Sequence, residues 1–385
     1  MPKPIAVLTS DLHLDEYAWA DRPSLRGDSK NAFEQIVDFA IDAQLPIVAA
    51  GDLIDKKRND AAPIGFLRRQ LDRLQEAGCP FFFIQGQHEL QPEPWVAEIH
   101  QWPVWLGERT AGADLLVYDL VEAEISMVGI DWQPRDLVEA ELAKVPPGTS
   151  LLVMHQVTSE LMGSICTPEL TGAMLPDVPL LLIGDYHRHV VKTVINSAGN
   201  KTTVLSPGST NVREISEEPN KHFFLLHDDL SVTSIPLESR QFLSRSLLLP
   251  EQLDDFVETI QTELAEAKSR AAAGYLPLVL QKPVLRVAYE PGIPDVYARV
   301  SRAVGDAAHL FFKELRVLAE EDDEDAAAAE EFREQYAARG LVGLLPMAVD
   351  AVTEPDVYRV AERLLQASDP VQALSQLREE FLTET

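Results

Sequence analysis

Five short apolar runs in the first half of the chain each lead directly into glycine, aspartate or histidine. The runs are IAVLTS (5–10), LPIVAA (45–50), FFFIQ (81–85), SLLVM (150–154) and PLLLI (179–183). Apolar runs without alternation are typical of strands that are buried on both faces. Amphipathic segments at 31–43 and 64–78 separate the first three runs and predict helices. This alternation predicts an α/β class fold, with helices layered on mixed β-sheets.

The pattern changes along the rest of the chain. Four closely spaced segments at 190–195, 202–205, 222–227 and 231–237 predict antiparallel strands. A helix at 251–270, a strand at 284–289, a helix at 293–307 and a strand at 309–318 predict a smaller α/β unit. An acidic run at 320–325 precedes two helical segments at 356–368 and 370–382. We therefore predict three domains: residues 1–240, residues 241–318, and residues 319–385 as an acidic linker with a C-terminal helix pair.

Charge and composition restrict the function classes. The formal net charge of -29 argues against a protein that coats nucleic acid nonspecifically, because phosphate contacts need Lys and Arg. It does not exclude a nuclease, because bound divalent ions make an active site locally positive. The sequence has only 2 cysteines, lacks an apolar run long enough for a membrane span and begins without a signal-peptide pattern. We expect a cytoplasmic protein with no membrane association.

Residues that can bind metal ions follow each of the five strands. The candidates are Asp11, His13, Asp52, Gln87, His88, His155, Asp185, His187 and His189. The carboxyl ends of strands in an α/β sheet are the expected place for a binding site. Carboxylate, imidazole and amide ligands suit Mn, Fe or Zn better than Ca. Two divalent ions about 3.5–4 Å apart can hold the attacking and leaving oxygens of a phosphate ester, so a two-metal site is one reading of this set.

The motifs DLH, GDLID, GQHE, MH and GDYH occur in this order. As an ordered set they resemble the Asp-x-His, Gly-Asp-x-x-Asp, Gly-Asn-His-Asp/Glu, His and Gly-His-x-His motifs of calcineurin-like metallophosphoesterases. SDLHLDE, AAGDLIDK, FFIQGQHEL and the segment at 204–226 further resemble the SbcD-type nuclease subunits, including phage relatives. The resemblance is clear over 1–237, weak over 250–318 and absent beyond. It implies a sandwich of mixed β-sheets flanked by helices, with a smaller capping domain.

The resemblance also implies roles for individual residues. Site one would use Asp11, His13, Asp52 and His187, and site two would use Asp52, Gln87, His155 and Asp185, so that Asp52 bridges two divalent ions. His88 would be the catalytic residue that binds no metal, and Glu89 would orient it. The expected metal is Mn²⁺, with Mg²⁺, Fe or Zn as alternatives. The implied partners are DNA, an SbcC-like ATPase subunit and a second copy of the chain.

Two positions depart from the family pattern. Gln87 stands where the family has Asn, and Asp185 stands where the family has its first His of Gly-His-x-His. A second register, in which His187 and His189 are the ligands, stays open. Two other functions also stay open: a phosphatase or small-molecule phosphodiesterase of the same fold, and a non-catalytic scaffold subunit whose site has decayed.

Overall fold

The structure is a computed structural model of the 385-residue chain. It describes residues 2–14, 22–55, 61–108, 114–120, 125–162, 170–213, 217–273, 276–290 and 292–315. All of these except Met162 belong to one compact unit. The predicted linker and helix pair of residues 319–385 lie outside the described residues.

Seven α-helices and fifteen strands occur in the described part of the chain. The helices are α1 (Asp28–Ala43), α2 (Ala61–Ala77), α3 (Trp95–Ile99), α4 (Arg135–Leu142), α5 (Ser159–Met162), α6 (Leu253–Ala273) and α7 (Val296–Val304). The strands before the second half of the chain are β1 (Pro4–Thr9), β2 (Ile47–Ala49), β3 (Phe81–Phe83), β4 (Val104–Trp105), β5 (Tyr118–Leu120), β6 (Ile125–Ile130), β7 (Leu151–Met154) and β8 (Leu180–Ile183). The later strands are β9 (Val190–Ile195), β10 (Lys201–Ser206), β11 (His222–His227), β12 (Val232–Pro236), β13 (Phe242–Leu247), β14 (Val284–Tyr289) and β15 (His309–Glu314).

Two six-stranded mixed sheets make up the larger part of the fold. The first has the order β12-β11-β1-β2-β3-β4, and the second has the order β5-β6-β7-β8-β10-β9. In the first sheet β1, β2, β3 and β4 run parallel, and β11 and β12 are antiparallel additions on the other side of β1. In the second sheet β6, β7, β8 and β10 run parallel, while β5 and β9 close the two edges in antiparallel pairing. The carboxyl ends of the parallel strands are therefore available to build a site.

The two sheets pack face to face and are covered on their outer faces by other elements. Side chains from both sheets share one buried cluster, which includes Ala6, Leu8, Val48, Ile84, Met127, Val153, Leu182 and Leu205. Successive residues of a strand point to opposite faces. Val7 accordingly lies in a second cluster with Phe33 and Leu71 of α1 and α2. Both faces of each sheet are buried, which is why the strands read as continuous apolar runs.

Helix α1 shows how the sequence sets this packing. Its buried residues include Phe33, Ile36, Val37 and Ala40, whose spacing places them on one face of the helix. The helix ends at Gln44, which adopts the left-handed conformation with φ 55°, and its backbone N–H bonds the Ala40 and Ile41 carbonyls. The chain then enters β2 through Leu45, which is buried. The helix thus covers the outer face of the first sheet.

A separate parallel sheet, β13-β14-β15, follows the two large sheets in sequence. Helices α6 and α7 connect its strands and bury Ile260, Leu264 and Val300 against Leu285 and Val287. This three-stranded sheet is joined to the larger body by Arg240, whose fully buried guanidinium bonds Asp28 and the backbone carbonyls of Val279 and Lys282. It is also held by Arg22, which lies 3.8 Å from the centre of the Phe311 ring.

The α/β fold class with mixed sheets flanked by helices is confirmed. Strands β4, β5, β6 and β13 and helices α3, α4 and α5 were not among the predicted elements. Strand β3 ends at Phe83, two residues before the predicted end at 85. The division into domains at residue 240 stays a prediction. Among the described helices, not one combines the length and the apolar character that a bilayer span requires.

Candidate metal centre

Four of the predicted ligand positions have an unusual backbone conformation. Asp11, His13, Asp52 and Asp185 have φ values of 49°, 42°, 51° and 71°. Positive φ is uncommon for residues other than glycine and is enriched at functional sites, where the surrounding structure must enforce it. Here backbone bonds between the loops do so, from Asp11 N to Gly51 O at 3.0 Å and from His13 N to Asp52 O at 2.9 Å.

Glycines next to the ligands permit a close approach of the loops. A Cβ atom on Gly86 would lie 1.9 Å from Asp52 Oδ1, and a Cβ on Gly184 would lie 2.3 Å from His155 Nδ1. Gly51 has φ +83°, and a Cβ there would lie 2.5 Å from the same imidazole nitrogen. All three glycines are therefore required because a Cβ would clash, and Gly51 is required also because of its positive φ.

The structure brings five of the predicted ligands into two overlapping groups. Asp11, His13 and His187 form one group, and Asp11, Asp52 and His155 form the other, with donor atoms in each group within 4.8 Å of one another. Asp52 Oδ2 lies 3.7 Å from His13 Nε2 and 3.4 Å from His155 Nε2. Asp11 Oδ1 lies 3.9 Å from the Nε2 atoms of His13, His155 and His187. Both aspartates thus face both groups, whereas the sequence predicted a bridge from Asp52 alone.

Several donor atoms in this cluster fit a divalent metal centre. Within the described part of the chain, Asp11 Oδ2, Asp52 Oδ2, Gln87 Oε1 and His155 Nε2 are buried without a hydrogen-bond partner. Burying polar atoms without a partner costs free energy unless another interaction compensates. Carboxylate oxygens, imidazole nitrogens and an amide oxygen are together a donor set for Mn, Fe, Zn or Mg. These residues therefore fit the divalent ions that the sequence predicts.

The buried His155 is fixed in the tautomer that a metal ligand needs. Its Nδ1–H donates to the Ala50 carbonyl at 2.6 Å, which leaves Nε2 directed at the two aspartates. Burial alone would lower the pKa of His155, but the charge of Asp52 outweighs it and raises the pKa well above its usual value. Burial would raise the pKa of Asp52, and the interactions with His155 reverse this and lower it. The carboxylate of Asp52 is therefore held in its ionised form.

His187 is oriented by a residue that the sequence analysis did not identify. Its Nδ1–H donates to Glu217 Oε1 at 3.0 Å, so that Nε2 faces Asp11. Glu217 Oε2 also accepts from Lys221 Nζ at 3.0 Å, Ser209 Oγ at 3.3 Å and Arg213 N at 3.3 Å. Burial would raise the pKa of Glu217, but His187 and Lys221 lower it to about 2. The only sequence signal for this group was the segment at 204–226, in which Pro207-Gly208-Ser209-Thr210 precedes an acidic stretch.

Arg213 is a second residue of the site that sequence reasoning missed. Its guanidinium forms an ion pair with Asp55, and its Nη1 lies 3.3 Å from His13 Nε2. Asp55 Oδ1 also lies 3.2 Å from His13 Nδ1. Asp55 therefore links a predicted ligand to an arginine that lies 158 positions away in the chain.

His88 lies beside the metal ligands, and its side chain is 39% exposed. Its Nδ1–H donates to the backbone carbonyl of Asp55 at 3.1 Å, and its Nε2 lies 3.7 Å from Asp52 Oδ2. The predicted orienting role of Glu89 is wrong, because its carboxylate accepts from the backbone of Leu53 at 3.2 Å and Ile54 at 2.8 Å. Burial, aided by the charge of Asp52, raises the pKa of Glu89 to about 8. Glu89 thus holds the loop that carries Asp52, and Asp55 orients His88.

The two residues that depart from the family motifs contact each other. Gln87 Nε2 donates to Asp185 Oδ1 at 2.5 Å, and the backbone N–H of Asp185 donates to Asp11 Oδ1 at 3.0 Å. His189 has a different environment, since its Nδ1 bonds the Pro207 carbonyl at 3.1 Å and its Nε2 lies 2.8 Å from Ser234 Oγ. Its ring also stacks on His222, with 4.5 Å between centroids. Asp185 therefore lies at the cluster, while both nitrogens of His189 are engaged elsewhere.

The loop that carries Gln87 and His88 is braced by Asp131. This buried carboxylate accepts from Gln85 N at 2.8 Å and from Trp105 Nε1 at 3.1 Å. The backbone N–H of Trp132 in turn bonds the Gln85 carbonyl at 2.9 Å. Asp131 follows β6, which the sequence analysis did not identify as a strand, so this brace was also missed.

Curated relatives match about three fifths of the chain, although no protein-family model matches it. The DNA double-strand break repair protein Mre11 of Methanosarcina acetivorans is 29% identical over 260 residues, which cover 63% of this chain and 40% of that protein. The Mre11 protein of Methanosarcina mazei is 28% identical over 262 residues, with the same coverage of 63% and 40%. The uncharacterized metallophosphoesterase YhaO of Bacillus subtilis is 24% identical over 237 residues, or 57% of this chain and 56% of that protein.

One solved structure, that of TT1561 of Thermus thermophilus, covers 61% of this chain at a TM-score of 0.35 and 13% identity, which is too distant to inform function. The chain spans about two fifths of the length of the Mre11 proteins that it matches.

The packed mixed sheets, the donors at their strand ends and the sequence relatives support one class: the chain resembles the calcineurin-like metallophosphoesterases. Within this class it is related to the Mre11 proteins, so the family resemblance seen in the motifs is confirmed.

Proposed function

We propose that the chain is a two-metal-dependent phosphodiesterase that cuts DNA, as an exonuclease or endonuclease subunit. The observation that carries this proposal is the buried cluster of Asp11, Asp52, His13, His155 and His187, with the half-exposed His88 beside it. The relatives named as DNA double-strand break repair proteins support DNA as the substrate.

Asp11, His13, Asp52 and His187 would hold one ion, and Asp52, Gln87, His155 and Asp185 the other, with Asp11 close enough to contribute to both. Divalent ions bound there supply Lewis acidity to the phosphate and to its attacking oxygen. The protein's own part is to hold this donor set rigid, because hydrogen bonds to Ala50 and Glu217 fix His155 and His187.

His88 has the geometry of a general acid. Its Nδ1–H is bound to the Asp55 carbonyl, so a transferable proton sits on Nε2 when the ring is cationic. The carboxylates of Asp52 and Asp55 lie 3.7 Å and 3.5 Å from this ring. The ring would then protonate the leaving oxygen or stabilise charge on the phosphoryl group.

The rest of the proposal follows from the family relation. We infer Mn²⁺ as the working metal, an SbcC-like ATPase and a second copy of the chain as partners, and a cytoplasmic location. Sedimentation of the purified chain and its co-purification with such an ATPase test the two assemblies. A monomer that does not bind the ATPase would remove that part of the proposal and leave the nuclease assignment in place.

The decisive experiment is a Mn²⁺-supplemented nuclease assay on linear single- and double-stranded DNA. We expect cleavage by the wild type and a loss of about 10²–10⁴-fold for His88→Ala, the usual contribution of a general acid. His227→Ala is the matched control, because this histidine bonds Thr233 on β12 and lies outside the metal cluster. Cleavage that persists in His88→Ala would overturn the role of His88.

Substrate comparison separates the rival functions. A phosphomonoester and a cyclic nucleotide, assayed beside DNA, test for a phosphatase or a small-molecule phosphodiesterase. Turnover of the small substrates alone would remove the nuclease assignment. A scaffold subunit predicts no turnover of any substrate with Mn²⁺ and no effect of His88→Ala on function.

A further inference from the structure

The two departures from the family motifs are adjacent in space, although 98 positions separate them in the chain. Gln87 is one methylene longer than the Asn of the family motif, and Asp185 is shorter than the His it replaces. The amide nitrogen of Gln87 donates to Asp185 Oδ1 at 2.5 Å. The longer side chain of Gln87 therefore reaches the shorter side chain of Asp185.

This contact fixes the direction of the Gln87 amide. Because Nε2 is bound to Asp185, Oε1 is the atom left over, and it is buried without a hydrogen-bond partner among the described residues. Asp185 is held in turn by its backbone bond to Asp11 Oδ1 and by a φ of 71°, a region in which Asp is one of the tolerated residues. Neither side chain can be placed independently of the other.

The exchange also changes the chemistry of the site. With Asp185, the donor set contains three carboxylates, from Asp11, Asp52 and Asp185. A carboxylate in place of an imidazole adds a negative charge and a hard oxygen donor. Hard oxygen donors suit Mn²⁺ and Mg²⁺, whereas imidazole suits Zn²⁺ and Fe.

We infer that Gln87 and Asp185 are a coupled ligand pair that shifts the metal preference of this site toward hard ions such as Mn²⁺. This inference rests on the proposed metal sites and not on the identity of the substrate. It also explains both departures as one compensated change, so that neither is a sign of a decayed site.

Metal binding to the full-length chain tests the coupling without any measurement of activity. Mn²⁺ affinity is measured by titration calorimetry and Zn²⁺ affinity by competition with a chromophoric chelator. Gln87→Asn should weaken Mn²⁺ binding by about 10–100-fold, as expected when a partner that orients a ligand is lost. Asp185→His should lower the ratio of Mn²⁺ to Zn²⁺ affinity. The double variant restores the Asn–His pair, so its loss of Mn²⁺ affinity should be smaller than the product of the two single losses.

Two further variants serve as controls. One tests whether an effect at Asp185 comes from misfolding, and the other tests whether His189 is a metal ligand in place of Asp185. Asp185→Asn keeps the side-chain size and removes the charge, and we expect it to weaken Mn²⁺ binding more than Zn²⁺ binding. His189→Ala should bind both metals like the wild type, with thermal unfolding used to verify that each variant is folded.

The inference is overturned if the single losses simply multiply in the double variant, or if the metal ratio does not change in the Asp185 variants. A loss of metal affinity in His189→Ala alone would also overturn it. A chain that shows the expected coupling but cuts no DNA would keep this inference and remove the nuclease assignment.

Discussion

Arg240 provides the sharpest test of how the three-stranded sheet is held on the larger body. Its side chain is fully buried, and its Nε donates to Asp28 Oδ2 at 3.2 Å. Its Nη1 donates to the carbonyls of Val279 at 3.2 Å and Lys282 at 3.0 Å, and its Nη2 reaches Ser24 O at 3.5 Å. Arg240→Met keeps the apolar stem and removes all of these donors.

The expected cost follows from what the substitution leaves behind. Asp28, whose side chain is 12% exposed, loses its cation. Breaking a buried ion pair by removing one partner costs about 3–5 kcal/mol. Burial raises the pKa of Asp28 even beside Arg240, so protonation can relieve part of the penalty. We therefore expect a loss near the lower limit, about 3 kcal/mol.

Urea unfolding with two probes measures this loss and locates it. Among the described residues, Trp95, Trp102, Trp105 and Trp132 belong to the body of the two large sheets, so their fluorescence follows that body, while far-UV circular dichroism follows every helix and strand. In Arg240→Met we expect the dichroism transition to move to lower urea than the fluorescence transition, because the three-stranded sheet loses its anchor. Coincident transitions in the wild type would show that the two parts unfold together.

Two comparison variants decide whether the reasoning holds. The double variant Arg240→Met/Asp28→Asn removes the carboxylate that lost its cationic partner, and it should recover part of the lost free energy of unfolding. Arg270→Met, at an exposed arginine of α6, should change the free energy of unfolding by less than about 0.5 kcal/mol. A loss below about 1 kcal/mol in Arg240→Met, or a double variant no more stable than the single, would refute the anchoring role.

Three further predictions concern the metal centre and the pH response. Gly86→Ala should abolish tight Mn²⁺ binding measured by calorimetry, because its Cβ would lie 1.9 Å from Asp52 Oδ1 and displace that carboxylate. Glu217→Gln should weaken Mn²⁺ binding by about 10–100-fold in the same assay, because the charged acceptor that orients His187 is lost. Burial and neighbouring cations, Arg240 foremost, lower the pKa of His309 to about 4, against a usual 6.5. Between these values the unfolded chain takes up a proton that the folded chain does not. The free energy of unfolding therefore decreases as the pH falls from 6.5 to 4, and melting temperatures across this range would record the decrease.

Matched variants accompany each of these predictions. Gly65→Ala lies within α2, where a Cβ would meet only Arg69 Nη1 at 3.6 Å, and it should leave metal binding unchanged. Glu218→Gln makes the same charge change as Glu217→Gln at an exposed position and should bind Mn²⁺ like the wild type. His309→Asn should reduce the loss of stability in acid. Equal Mn²⁺ affinities for the two glutamate variants, or equal acid sensitivity of His309→Asn and wild type, would contradict the corresponding argument.

The ligand positions were predictable because their signals are local in the sequence. A buried strand followed by Gly and Asp, as at Gly51-Asp52, indicates where the strand ends. It also indicates which side chain can lie at the carboxyl end of the strand. The order of five such endings carries the motif resemblance, which implied the ligand roles of Asp11, His13, Asp52, His155 and His187. Strand β6 was missed although Ile125–Ile130 leads into Asp131, and this aspartate braces Gln85 and is not among the cluster residues. An aspartate after a buried strand therefore marks the strand end without showing whether the side chain can bind a metal ion.

The groups that support the ligands were not predictable in the same way, because their contacts depend on how distant segments align. Glu217 meets His187 across 30 positions, and Arg213 meets Asp55 across 158. Nothing in the residues around Glu217 distinguishes it from the exposed Glu218 until the segment is placed against the loop after β8. The wrong role assigned to Glu89 has the same origin, since adjacency to His88 in the chain does not imply a contact in space.

The charges and the backbone conformation of the metal-ligand cluster both destabilise the folded state. Asp11, Asp52 and Asp185 bring three carboxylates together, and each has a positive φ that side chains rarely adopt. Like charges at close range and strained backbone both oppose folding. The network of backbone bonds and braces around them counters this cost, and bound cations would counter it further, because a ligand that binds only the folded state stabilises it. The ions are therefore expected to act on stability as well as on chemistry, so the melting temperature should rise with Mn²⁺ concentration even in His88→Ala, which keeps every proposed ligand.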